Sequence, residues 1–467
     1  MNGLRKRLIG SRQFYKTVLL ITLPIIMQNA LTSVVGFLDN IMVGRLGTDA
    51  INGIAISGSL LFVFQLAIFG AVSGAGIFGA QFYGKGDHKG VSEALRIKLY
   101  LSVVLTAVGI LLFCFFMKDF VGLYLHDATS SVGSPEETLN QATKYLTIML
   151  IGLPPMALSI CYSSSMRECG ETFVPMIAGI IAVLTDLFLN WVLIFGNLGL
   201  PALGVQGAAI ATVISRFADC AINVTYTHTH KNKLKFAQYV LETFNVSGSL
   251  LKNVAIKGLP LMCNEIFWVL SVTVTGQLYS YRGLDVLAAN NINTNIGNVF
   301  NIVFIALGST VGILVGQQLG SGDTEGAHDT AYKMIFFSVA SCFITSAVML
   351  SVSGVIPNFY KTEPEVRQLA SSLIKVYALG MPLMAFNHAT YFAIRSGGKT
   401  FITLLFDSVY CWTVNVPLAF VLVHYTGLPF LSIYTLVVFS EIVKCVLATI
   451  FLRKLNWAVD LTQSIEN

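Results

Sequence analysis

The sequence states one pattern twice. Residues 23–100 and 259–336 align without a gap at an offset of 236, and the matches fall on distinctive residue types. Pro24 pairs with Pro260, Gly47 with Gly283, Ser73 with Ser309, Gly76 with Gly312 and Gln81 with Gln317. The group Gly84, Gly86, Asp87 and Gly90 recurs as Gly320, Gly322, Asp323 and Gly326. Two copies of one hydrophobic unit in a membrane chain usually frame a site between them, so the repeat points toward a transport architecture.

Composition identifies the solvent as lipid. Charged residues make up 11% of 467, against roughly 25% in an ordinary soluble chain, and the mean hydropathy is +0.72. Segments long enough to cross a hydrocarbon core of about 30 Å fall near 17–44, 51–82, 96–117, 143–166, 173–196, 203–227, 254–280, 286–319, 332–356, 370–394, 400–424 and 430–452. The expectation is an all-α, polytopic membrane protein, because only a helix satisfies its own backbone in lipid. Its twelve spans would form an N-terminal six-helix lobe (1–227), a linker (228–252) and a C-terminal six-helix lobe (253–467).

An even number of spans per copy puts the pseudo-twofold axis along the membrane normal. The later half of each copy agrees: 151–157 (IGLPPMA) resembles 379–385 (LGMPLMA), and Asn190, Ser215 and Cys220 fall opposite Asn415, Ser440 and Cys445. Pro24 and Pro260 read as helix kinks. The small-residue ladders Gly308, Gly312, Gly316 and Gly70, Gly74 read as sites of close helix packing.

Lysine and arginine set the orientation. Arg45, Lys118, Lys144, Arg282, Lys361, Arg367 and Lys375 fall on one side. Arg5, Lys6, Arg7, Arg12, the linker lysines and nearly all the other basic residues fall on the opposite one. The positive-inside rule makes that basic side cytoplasmic, with both termini and the linker there. The net charge of +5 is therefore a topology signal and calls for no nucleic-acid partner. No cleaved signal peptide is expected, because the first apolar segment is too long and many more follow.

Ionisable residues at membrane depth each cost on the order of 3 kcal/mol, which makes them the candidate list. It comprises Asp39, Asp186, Arg216, Asp219, Glu265, Asp407, Glu441 and Lys444. Arg216 with Asp219, and Glu441 with Lys444, are three apart and can pair along one helix. Asp407, close to Lys399, reads as structural. Asp39, Asp186 and Glu265 have no opposite charge at helical spacing. Asn190 lies one turn from Asp186, and Thr212 with Ala208 falls at similar depth on the next span. Two carboxylates, an amide, a hydroxyl and a helix carbonyl suit a hard monovalent cation such as Na+, or a proton shared between carboxylates. A hydrogen-bonded network holding no ion fits the same spacing. Glu265, one turn from Trp268, could cradle an organic cation against an aromatic face, be buried protonated, or pair with a neighbouring helix.

The eight cysteines contain no C-x-x-C pair and read as small apolar residues. His388, beside Asn387, is a weak proton-site candidate. No phosphate-binding G-x-x-x-x-G-K-[ST] occurs, so no ATP-driven step is expected within this chain.

The stretches 24–47 (PIIMQNALTSVVGFLDNIMVGRLG), 79–87 (GAQFYGKGD), 165–172 (SMRECGET), 187–196 (LFLNWVLIFG), 199–215 (GLPALGVQGAAIATVIS) and 316–323 (GQQLGSGD) together resemble the multidrug and toxic compound extrusion (MATE) family over essentially the full length. That resemblance implies a secondary antiporter, not an enzyme. It would export amphipathic, cationic organic compounds by alternating access, driven by Na+ or H+ as coupling ion and needing no other cofactor. It places the family's first-lobe cation site on Asp39, Asp186, Asn190, Ala208 and Thr212, and its seventh-helix acid on Glu265. Two departures stand out. Some members carry Asn-x-x-x-Asp where this chain has Asp186-x-x-x-Asn190, and the tenth span lacks the acid that second-lobe sites often use. Coupling through the first lobe follows. The expected setting is a monomer in the bacterial inner membrane. The alternatives are a flippase for lipid-linked precursors, which calls for a more basic cleft, and an integral membrane enzyme, for which no nucleophile and base cluster at one membrane face.

Overall fold

The computed structural model describes residues 8–125, 134–360 and 362–463. Arg5, Lys6, Arg7 and Lys361, used above for orientation, lie outside the described residues. Among the described residues there are twelve helices long and apolar enough to cross a membrane, and no strand. They are α1 (Arg12–Gly44), α2 (Thr48–Lys85), α3 (His88–Leu125), α4 (Pro135–Glu168), α5 (Phe173–Phe195), α6 (Val205–Thr229), α7 (Gly248–Ser280), α8 (Leu284–Gly320), α9 (Thr324–Val352), α10 (Pro364–Ser396), α11 (Thr400–Tyr425) and α12 (Phe430–Lys454). Each expected span coincides with one of them, most running several residues further at one end or both.

The sequence repeat is reproduced in backbone detail. Helices α1 and α7 are both 33 residues long and carry Pro24 and Pro260 at the same place within them. Gly86 and Gly322 both hold positive φ, +80° and +81°, in the turn after α2 and after α8, a conformation that disfavours any side chain with a Cβ. The aspartate that follows caps the next helix in both copies. Asp87 accepts from the Gly90 amide at 2.9 Å and Asp323 from the Gly326 amide at 2.8 Å, satisfying an otherwise unpaired helix-terminal donor. Shared glycines and aspartates are thus turn and cap chemistry.

The chain divides into two compact units. One comprises Met27–Gly79 and Asp87–Leu251, and the other the residues up to Ile26, Ala80–Gly86 and those from Lys252 onward. In the first, Lys98 of α3 meets Glu168 at the end of α4 at 2.6 Å. The segment after α6 folds back over α3 through Arg96 to the Thr243 carbonyl (2.5 Å) and Tyr100 to the Phe244 carbonyl (2.6 Å). Lys233 pairs with Glu171, and that hydrogen bond raises the pKa of its ammonium. In the second unit, the core runs through α7–α12 around Leu373, Ile374, Met381 and Ile433.

A close backbone approach in the second unit uses the repeat on itself. A Cβ on Gly84 would overlap the Gln317 carbonyl, and one on Gly320 would overlap the Gln81 carbonyl. Backbone meets backbone there, so neither side can yield. Gln81 is also fixed by its side chain, donating to the carbonyls of Ser396 (2.8 Å) and Val459 (3.1 Å) and accepting from the Leu461 amide (2.7 Å). Gly84→Ala or Gly320→Ala is expected to lower stability by about 3 kcal/mol, whereas Gly58→Ala, which meets open space, should be neutral or slightly stabilising. Thermal unfolding of the detergent-purified variants checks this, and equal melting temperatures for Gly84→Ala and Gly58→Ala would refute it.

Candidate functional site

A run of small residues on α6 places the first cluster. A Cβ on Gly207 would stand 2.6 Å from the Leu193 carbonyl of α5, so α6 lies close against α5. Ala208, Ala209 and Ala211 are buried beside it. That approach sets Thr212 beside Asp186. Its hydroxyl donates to the Ala208 carbonyl at 3.1 Å.

Asn190, only 2% exposed, holds two acids from two helices. Its Nδ2 donates to Asp39 Oδ1 of α1 at 2.9 Å and to Asp186 Oδ2 at 3.2 Å. The structure therefore brings together Asp39, Asp186, Asn190, Ala208 and Thr212. Asp186 Oδ1 and Asn190 Oδ1 are buried with no hydrogen-bond partner. Both are acceptors, and a buried acceptor left unmatched costs about 1–3 kcal/mol. Two carboxylates and the Asn190 amide oxygen, with Asp186 Oδ1 and Asn190 Oδ1 unmatched, form a set that a monovalent cation or a proton would complete. Among the described residues no three His, Cys, Asp or Glu side chains gather at a metal site, so this oxygen set is unlike a divalent transition-metal centre.

The second unit handles its charges internally. Lys444 of α12 reaches Asp407 of α11 at 2.5 Å. Asn264 of α7 donates to Asp407 Oδ2 at 3.0 Å and accepts from Ser408 at 2.7 Å. Asn387 of α10 donates to Glu441 at 2.7 Å. These contacts replace the intrahelical pair expected for Glu441 and Lys444. Asp219 likewise takes Ser159 (2.5 Å) and Asn223 (3.2 Å) as partners in place of Arg216. Asp219, Lys444 and Glu441 each take a partner on another helix, Ser159, Asp407 and Asn387, where geometry is less constrained than three residues along one.

Glu265 lies in the field of Arg395 of α10 and Asp407, while Trp268 is 43% exposed. Arg395 stacks on Phe392 at 5.0 Å, and its Nη1 is buried without a hydrogen-bond partner. Helical spacing could not show Arg395 as a charge acting on Glu265. His388 is enclosed by Phe304 and Phe392 rings. Asn264 was absent from the sequence reading, yet the repeat could have found it. Its counterpart at the 236 offset is Gln28, which accepts from Arg167 Nη2 at 2.6 Å, so the same position anchors charge in both copies.

Lys444→Met leaves Asp407 buried without its ion-pair partner and should cost about 3–5 kcal/mol. The double variant with Asp407→Leu should recover most of that in a thermal melt. Equal melting temperatures for the single variant and the unaltered protein would contradict this.

The MatE family model matches residues 24–192 and 260–421. The chain is similar to the probable multidrug resistance protein YoeA of Bacillus subtilis, 25% identical over 429 residues, covering 90% of this chain and 89% of that protein. It is 27% identical over 413 residues to the probable multidrug resistance protein NorM of Mannheimia succiniciproducens, covering 87% and 86%. A solved structure described as the outward-facing conformation of a multidrug resistance MATE family transporter superposes with a TM-score of 0.83 at 16% identity, covering 97% of each chain.

Proposed function

This chain belongs to the MatE family, whose members are transporters and not enzymes, and from that premise we propose that it exports amphipathic organic cations in exchange for Na+ or H+ by alternating access. The observation carrying this reading is the pair of unmatched buried acceptors, Asp186 Oδ1 and Asn190 Oδ1, beside two carboxylates that share one amide. A cation entering that cluster finds oxygen ligands already desolvated and held, so its binding can bias one conformation over another. The second copy lacks the equivalent acids. Thr275 stands at the position of Asp39, and Cys411 at that of Asp186. Its α11 carboxylate Asp407 is neutralised by Lys444. The coupling cation therefore acts through Asp39 and Asp186, with Asn190, Thr212 and the Ala208 carbonyl completing its shell.

Glu265, held near Arg395, is the acid for the organic cation. Relatives named for multidrug resistance support an organic cargo. The distribution of basic residues supports a cytoplasmic position for both termini, and the bacterial relatives support a bacterial inner membrane. The protein acts as a monomer.

Proteoliposomes loaded with a cationic dye and given separate sodium and proton gradients test the proposal. Unaltered protein should move dye only under one of them. Asp39→Asn and Asp186→Asn should each cut the gradient-driven rate at least about tenfold, the effect of losing roughly 1.4 kcal/mol of coupling. Dye movement indifferent to both gradients, or full activity in Asp39→Asn, would sink the antiport reading. Translocation of a lipid-linked precursor without dye export would favour a flippase.

A further inference from the structure

One charged side chain next to the acid cluster has no role in the exchange as described above. Arg216 follows Thr212 by one turn of α6, so it stands about 6 Å along the axis from the residue beside Asp186. Its stem rests on the tight turn Leu150–Gly152 of α4, the Cδ lying 3.2 Å from where a Cβ on Gly152 would sit. The glycine leaves room for it. The guanidinium lies in the field of Tyr145 and Asp186, and Tyr145 in turn feels Thr212, Asp186 and Asp39.

The hydrogen-bond inventory of this corner is unbalanced in a telling way. Arg216 Nη1 is buried with no hydrogen-bond partner, and so is Asp186 Oδ1. One is a charged donor and the other a charged acceptor, in one cluster, each lacking what the other offers. Asp219, the acid nearest along the helix, is engaged with Ser159 and Asn223. A guanidinium carries five donors on a long, rotatable stem, which lets its head turn between neighbouring acceptors.

We propose that Arg216 is a tethered counter-cation for this cluster: its guanidinium closes on Asp186 when the coupling cation leaves, and withdraws toward Tyr145 when the cation returns. The inference rests on the exchange proposed above and deepens it. Two cations cannot both neutralise the same carboxylate oxygen, so Arg216 competes with the coupling ion and weakens its binding. It also keeps the ion-free cluster from presenting two uncompensated carboxylates, the state that burial penalises most. Arg216 is thus a positioning residue that sets ion affinity without contacting the organic cargo.

The test is the driving-cation concentration, sodium or proton according to which gradient the unaltered protein uses, that gives half-maximal dye efflux from proteoliposomes. Arg216→Gln removes the competitor, so that concentration should fall about tenfold, with maximal rate falling too as ion release slows. Arg216→Lys should stay within about threefold of the unaltered value. Tyr145→Phe removes the alternative seat of the guanidinium and should raise the half-maximal concentration about threefold, which decides the matter if Arg216→Gln fails to fold. A half-maximal concentration unchanged or raised in Arg216→Gln, or lowered in Tyr145→Phe, overturns the proposal. Absence of gradient-driven efflux in the unaltered protein would instead sink the antiport reading itself, so the two failures are separable.

Discussion

A carboxylate at membrane depth must be neutralised, and the way each half of this chain does so organises the rest. The second unit uses its own cation: Lys444 meets Asp407, closing that charge to outside ions. The first unit uses an amide where the second uses an ammonium. Asn190 bridges Asp39 and Asp186 but brings no positive charge, so the cluster keeps a demand for a cation. Removing an ion from water costs several kcal/mol, and a site with its ligands already dehydrated returns most of that. In the exchange we propose, the asymmetry between an ammonium and an amide is what divides a structural network from a cation site.

That asymmetry is laid on a symmetric scaffold. Helices α1 and α7 share length and proline position, and the turns after α2 and α8 share glycine conformation and aspartate cap. The side chains on these equivalent backbones then diverge in sign. Arg216 and Asp219 in α6 stand where α12 has Glu441 and Lys444. Inverting both signs keeps the net charge of each pair while moving the cation from one turn to the next, so Lys444 reaches Asp407 of α11 and Arg216 stands in the field of Asp186. Helix α11 departs further, carrying two π-helical turns at Leu405–Val409 and Cys411–Asn415. Such turns widen a helix locally and re-aim side chains, here Asp407 and Ser408.

The architecture was legible in the sequence because lipid imposes it. Span number, the repeat and the conformational glycines follow from hydropathy and from backbone rules that hold at any position. Which charges meet was far less legible. Helical spacing shows only neighbours on one helix, and it favoured Glu441 with Lys444 and Arg216 with Asp219. The chosen partners, Asp407 and Ser159, belong to other helices, and their proximity depends on packing that no single-helix period encodes. Glu265 illustrates the same limit, since the opposite charge acting on it is Arg395 of α10 and not a residue of its own helix. The cluster around Asn190 could be anticipated in part because Asp186 and Asn190 do share a helix face.

The identity of residue 190 decides what that face can do. An asparagine side chain has two donors and one acceptor. Both donors are spent on carboxylates of different helices, which ties α1 to α5 whether or not an ion is present. The acceptor remains for a cation. An aspartate at 190 would put three acids in one cluster with no donor among them, and the like charges would hold protons tightly. A leucine would leave both carboxylates without their shared donor. Only a neutral group that donates twice and accepts once keeps the helices joined while leaving the charge of the two acids uncompensated by the protein.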